Sequence, residues 1–200
     1  MTLHIPDGDF SAYIFDCDGT LADNMPLHYK AWCAALGVHG CDFPEALFYT
    51  LGGVPTEHIV DLLNERHGTS IPAAQTAAHK EQLFLEMIPQ ILPMEAVLEI
   101  IHRNSGRLPI AVASGSRREI VMKILDALGI TALFDAIVTS EDYRRGKPSP
   151  DPFLEASRRL GVPPEKCLVF EDTQTGITAA EAAGMQWVLV RPPARASTAR

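Results

Sequence analysis

Five short apolar runs, at residues 12–16, 109–113, 136–139, 167–170 and 187–190, recur along this chain and alternate over most of it with helical patterns. Four are continuously apolar, as central strands of a parallel sheet must be when helices cover both faces. The helical patterns at 118–128, 152–160 and 176–183 run into Gly129, Gly161 and Gly184, where a helix end wants a left-handed residue. Few topologies satisfy that rhythm. It predicts an α/β fold, a doubly wound, Rossmann-like parallel sheet core with right-handed crossovers.

The stretch 25–92 breaks the rhythm. It reads as consecutive helices at 26–36, 55–67 and 72–88, closed by Gly37, Gly68 and Pro89, with prolines at their starts as a helical first turn permits. An all-helical insert between the first and second strands is therefore expected, and it enters and leaves at one end of the sheet. The predicted division is a core from 1–24 and 93–200 with a cap from 25–92, the cap lying over the strand ends as a lid. The polar, proline-containing tail 191–200 is expected to fray.

Composition narrows the classes of function. The chain has 200 residues, is 46% hydrophobic and carries a formal charge of −8, which suits a globular protein and argues against nucleic acid, whose backbone demands clustered Lys and Arg. No apolar run is long enough to span a bilayer, and the N-terminus lacks the basic-then-apolar pattern of a signal peptide. A cytoplasmic, membrane-free monomer is the expectation. Cys17, Cys33, Cys41 and Cys167 show no C-x-x-C spacing and read as reduced, structural residues.

Chemistry concentrates at the strand ends. In Asp16-Cys17-Asp18-Gly19-Thr20-Leu21, a spacing of two aims both carboxylates the same way at the carboxyl end of the first strand, where such sheets place ligands. One such acid can attack phosphorus and its neighbour can move protons. Ser114-Gly115-Ser116 follows the second strand and offers a hydroxyl and loop amides to phosphate oxygens, although Ser-Gly-Ser is also an ordinary turn. Lys147 sits in Gly146-Lys147-Pro148, a loop stiffened by its neighbours, and Glu171-Asp172 ends another apolar strand with hard oxygen ligands of the kind that suits Mg²⁺. A net-negative chain that handles a phosphate ester needs such a cation and such a lysine to reverse the local potential.

Taken together, these four elements resemble the signature of the haloacid dehalogenase superfamily, in its order and across essentially the whole chain. The resemblance implies Asp16 as nucleophile, Asp18 as general acid and base, and Ser114 and Lys147 as phosphate holders. It implies Mg²⁺ held by Asp16, the backbone carbonyl of Asp18, and Asp172, with Glu171 close by. The helical insert resembles the superfamily's α-helical cap. Within it His28, Ala31 and Trp32, then Leu51-Gly52-Gly53-Val54, then Lys80, are similar to the β-phosphoglucomutase-like branch, which contains sugar-phosphate phosphatases and mutases. His28, Gly53, Lys80, Gly115 and Ser116 are the substrate contacts implied. His28 and Trp32, one helical turn apart, fit core packing as well, and Lys80 fits a solvated helix face.

Mutases of that branch carry an arginine in the cap soon after the Gly-Val pair, where this chain has Thr56. A hydroxyl does not replace a bidentate guanidinium. The expected activity is thus Mg²⁺-dependent hydrolysis of a small hexose or polyol phosphate through an aspartyl phosphate, with a β-phosphoglucomutase-type phosphomutase as the alternative. Two further readings stay open. Hydrolytic dehalogenation would leave Asp18 without a task, and a non-catalytic ligand-binding module would leave both acids idle.

Overall fold

The computed structural model describes residues 3–193; the expected fraying of the tail concerns residues that lie, from 194 onward, outside the described ones. β1 (Ala12–Phe15) is the central strand. The chain then makes β2 (Ala22–Asp23), α1 (Met25–Gly37), α2 (Glu45–Thr50), α3 (Thr56–His67), α4 (Ala73–Met87), β3 (Leu92–Pro93) and α5 (Glu95–Asn104) before the sheet resumes. There follow β4 (Ile110–Ala113), α6 (Arg118–Ala127), β5 (Ala136–Val138), α7 (Asp151–Leu160), β6 (Cys167–Glu171), α8 (Gln174–Ala182) and β7 (Gln186–Leu189).

The five long strands form one parallel sheet in the order β5-β4-β1-β6-β7. The chain moves outward from β1 on one side and then returns to β1's other flank, so the carboxyl ends of β1, β4 and β6 meet where the winding reverses. Alternation within β1 explains why both faces are covered. Tyr13 and Phe15 enter one apolar cluster with Val97, Ile101, Val121 and Ile124 of α5 and α6, while Ala12 and Ile14 enter another with Phe153 and Ala156 of α7 and Ala179 and Ala180 of α8. Phe15 stacks on Phe170 of the neighbouring strand at a centroid separation of 4.5 Å. Each fully buried aromatic of this kind contributes roughly 2–3 kcal/mol by removal from water alone.

Helices α1 to α4 have an apolar cluster of their own, built from Trp32, Leu36, Phe43, Phe48, Ile59, Val60, Leu63 and Ile71. α1 and α4 lie side by side, and Leu27, Ala31 and Phe84 at their base join the first sheet-face cluster instead. β2 and β3 pair antiparallel where the helical segment leaves and rejoins the sheet, with Asp23 opposite Leu92.

Gly129, Gly161 and Gly184 take the left-handed conformation expected of them, and so does Gly68. Gly37 does not. It is the last residue of α1, and the left-handed glycine is Gly40, three residues on. Three elements go beyond the sequence pattern. β2 and β3, two residues each, exist only by pairing with one another; α2, at six residues, is too short for a helical period to show. α5 was not among the helices expected, although Val97, Leu98 and Ile101 recur at helical spacing. Among the described residues no helix is long and apolar enough to cross a membrane, and all four cysteines are free, Cys17 and Cys167 in the core.

Candidate active site

Asp16 follows directly on β1, and the amide of Asp16 still bonds the Phe170 carbonyl at 3.0 Å, so the neighbouring strand fixes where its carboxylate begins. The side chain is buried and accepts from Lys147 Nζ at 2.5 Å. Lys147 donates equally to Glu171 at 3.0 Å and lies 5.0 Å from the Phe153 ring. Burial alone would lower the Lys147 pKa, but the two carboxylates outweigh it and hold the ammonium above the ordinary lysine range.

Glu171, on the last residue of β6, is a hub. Besides Lys147 it receives Thr173 Oγ1 at 3.0 Å and the amides of Asp172 and Thr173 at 2.5 and 3.1 Å. Burial raises its pKa, yet Lys147 and these donors bring it below the usual glutamate value. Its lone pairs are thus used in shaping the loop that presents Asp172. Two glycines permit this crowding. A side chain at Gly19, where φ is +88°, would overlap the Asp172 carboxylate, and one at Gly176 would overlap Glu171.

Oxygen atoms of Asp16, Glu171 and Asp172 lie within 4.8 Å of one another. Burial, then mutual repulsion, raises the pKa of Asp16 and Asp172. Three carboxylates thus surround the single ammonium of Lys147, a local deficit of positive charge that a hard divalent cation would fill. The donor set fits such an ion.

Asp18 looks the other way. Its Oδ1 accepts from Asn24 at 2.6 Å and lies 3.1 Å from His28 Nε2, and its Oδ2 accepts from Ser116 Oγ at 2.7 Å. Burial pushes it up, but these partners hold it well below the ordinary aspartate range. Its carboxylate therefore lies outside the metal cluster, and only its backbone carbonyl remains for the ligand role that the resemblance implied. Asn24 went unnoticed in the sequence. It stands at the helix start, where Asn normally caps the first turn, but here its side chain makes no cap and instead binds Asp18 and the Gly19 amide. An Asn just before Met25-Pro26 was the available signal.

His28 and Lys80 come together on α1 and α4. Lys80 Nζ lies 2.9 Å from His28 Nδ1, and the His28 ring stacks on Phe84 at 3.7 Å. Burial, then the Lys80 charge, lowers the His28 pKa, while burial brings Lys80 down to about 8. Trp32 packs beneath, its ring 5.7 Å from the ammonium. His28, Trp32 and Lys80, with Gly53, Gly115 and Ser116, line a cleft of about 590 Å³ between the helical segment and the strand ends.

Ser114 is placed differently from its partners. It is fully buried and is not part of the cleft wall; its Oγ accepts from the Ser116 amide at 3.0 Å, and its carbonyl accepts from Tyr143 Oη at 3.1 Å. Arg66, another basic residue of the helical segment, is exposed and does not line the cleft, whereas Thr56 does.

Comparisons with known proteins show the family of the chain. A family model described as haloacid dehalogenase-like hydrolase matches residues 10–184. Fructose-1-phosphate phosphatase YqaB of Escherichia coli K12 is 36% identical over 91% of this chain and 97% of its own length. The phosphorylated carbohydrates phosphatase of Thermotoga maritima is 31% identical over 88% of this chain and 82% of its own. Among solved structures, β-phosphoglucomutase from Clostridium difficile superposes with a TM-score of 0.79 at 26% identity, covering 89% of this chain and 83% of that one.

Proposed function

This chain belongs to the haloacid dehalogenase-like hydrolases, and on that premise we propose that it is a Mg²⁺-dependent phosphatase acting on a small hexose or polyol phosphate. The observation that carries this reading is the opposed orientation of two acids two residues apart. Asp16 is turned to Lys147 and the acidic cluster, and Asp18 to His28 and Ser116.

Asp16, in the ionised form that Lys147 favours against burial, is the nucleophile; its Oδ–P bond forms as the P–O bond to the sugar breaks. Lys147 and the amides of Gly115 and Ser116 take the charge on the phosphoryl oxygens, while Ser114 supports that loop from beneath. Asp16 and Asp172, with the Asp18 carbonyl, would hold Mg²⁺, which supplies further charge neutralisation on the phosphoryl group. Asp18 gives a proton to the departing alkoxide, the incoming phosphate's negative charge raising its pKa for that step. It then takes a proton from the water that opens the aspartyl phosphate, the task for which its ionised state here is suited.

Residues 25–92 act as the cap of a core formed by 1–24 and 93–200. Thr175 Oγ1 donates to the Gly52 carbonyl at 3.0 Å, which ties cap loop to core loop beside Asp172. His28, Gly53 and Lys80 are the cap's substrate contacts. A monomer is the proposed state, and the free cysteines suit a reducing compartment such as the cytoplasm. The likeness to β-phosphoglucomutase supports phosphomutase activity as the second reading, and Thr56 speaks against it.

A panel of phosphorylated sugars and polyols, assayed for inorganic phosphate with and without Mg²⁺, tests this. Metal-dependent phosphate release from a hexose or hexitol monophosphate is expected. Isomerisation faster than release, and dependent on a sugar bisphosphate, would install the mutase.

A further inference from the structure

On the core side the cleft is lined by the carboxylates of the site and by Arg117, Arg144 and Lys147, and on the side of α3 and α4 by Glu57 and Glu81 with Lys80 between the helices. Lys80 reaches the cleft but is largely buried, its ammonium held against His28, Trp32 and Phe84. Glu81 has a counterion, since Arg117 stands 4.0 Å from it and 3.8 Å from Glu141. Glu57 has none. Among the described residues its exposed side chain makes no hydrogen bond or ion pair, although it lines the cleft, where Arg144 is the other charged group left unpaired.

A carboxylate in that position offers acceptors only. It attracts hydroxyl groups and repels phosphate, carboxylate or sulfate. Thr56 and Glu57, where α3 begins, line the same cleft as Lys147 and stand on its helical wall.

We propose that Glu57 is a specificity-determining residue, whose carboxylate accepts hydrogen bonds from hydroxyls on the uncharged portion of the substrate and excludes molecules bearing a second anionic group. The assignment rests on the phosphatase reading and adds to it which class of ester the cleft selects, a polyhydroxylated monophosphate over a bisphosphate. It is independent of the metal and of the transferring groups, because Glu57 touches neither.

The test measures kcat/KM of the full chain with Mg²⁺ on 4-nitrophenyl phosphate, fructose 1-phosphate and fructose 1,6-bisphosphate, for wild type, Glu57→Gln and Glu57→Ala. Removing the charge in Glu57→Gln should raise the bisphosphate-to-monophosphate ratio about tenfold, the order expected when one like-charge contact is lost. Glu57→Ala should lower kcat/KM on fructose 1-phosphate roughly tenfold, mainly through KM, because it removes an acceptor for substrate hydroxyls. The loss on 4-nitrophenyl phosphate should be much smaller. A role confined to the first turn of α3, where an acid favours the helix dipole, would instead lower Tm and leave both ratios unmoved, and that result would overturn the proposal. Absence of phosphate release from all three esters in the wild type would reject the phosphatase reading itself, and the Glu57 assignment with it.

Discussion

Lys80 and His28, 52 residues apart in the chain, meet at 2.9 Å, and the far side of the His28 ring reaches Asp18. A buried ammonium donating to Nδ1 leaves Nε2 to carry the ring's proton toward the Asp18 carboxylate. Helices α1 and α4 thereby report on the protonation of a core acid. If residues 25–92 lift, His28 leaves with them, and Asp18 loses one of the partners that keep it ionised.

That arrangement sets stability against function at Lys80. Burial lowers its pKa from 10.5 to about 8. A depression of this size is worth roughly 3 kcal/mol against the folded state below pH 8, and the cost fades as pH rises from about 8 toward 10.5, where the unfolded chain still binds the proton. Lys80→Met should therefore raise Tm at pH 7 by about 3–6 °C, after about 1 kcal/mol is lost with the His28 hydrogen bond. The gain should shrink above pH 9. Activity on a sugar phosphate should fall at least tenfold more than on a small aryl ester. Paired thermal melts and kinetics check this; equal losses on both esters would make Lys80 a structural residue only.

Asp16→Asn should lower kcat by at least about a thousandfold, since an amide does not attack phosphorus and Lys147 would lose its nearer counter-charge. Rapid-quench labelling should find no phosphoenzyme in this variant. Residual turnover above a few per cent of wild type would reject the covalent mechanism.

Asp172→Ala should raise the Mg²⁺ concentration needed for half-maximal activity by about tenfold or more. The control has to be chosen from the tertiary structure. Asp142 lies outside the four motif loops, but it accepts from the Thr139 amide and hydroxyl, both at 2.8 Å, and pairs with Arg118 and Arg159 at 2.7 Å each. These partners bring its pKa down to about 2 against the opposing effect of burial, so its contribution is fully present above pH 3.8 and is lost as pH falls toward 2. Asp142→Ala should cost about 2 kcal/mol of stability by breaking that network, seen as a lower urea midpoint at neutral pH. Exposed Asp61 on α3 is the sound control, and Asp61→Ala should leave the Mg²⁺ titration in place. Matching shifts in Asp172→Ala and Asp61→Ala would remove Asp172 from the metal site.

What the sequence determined by itself is whatever neighbouring residues decide. A continuous apolar run makes Val169 and Phe170 strand wherever it falls, a glycine at 161 ends a helix, and carboxylates at the end of such a run stand where parallel strands open toward ligand. Sheet class, the helical insert and the loops bearing Asp16, Lys147 and Asp172 follow from rules that act over a few residues. Direction and pairing of side chains do not. Asp16 and Asp18 share a motif, yet one faces Lys147, 131 positions away, and the other faces Ser116, 98 positions away. Asn24 forgoes its cap for Asp18, Ser114 withdraws beneath the cleft, Asp142 anchors a network, and Glu57 alone on its wall lacks a partner. Each outcome depends on which charges burial brings within hydrogen-bonding reach, and that distance is set only when the helical segment closes over the sheet.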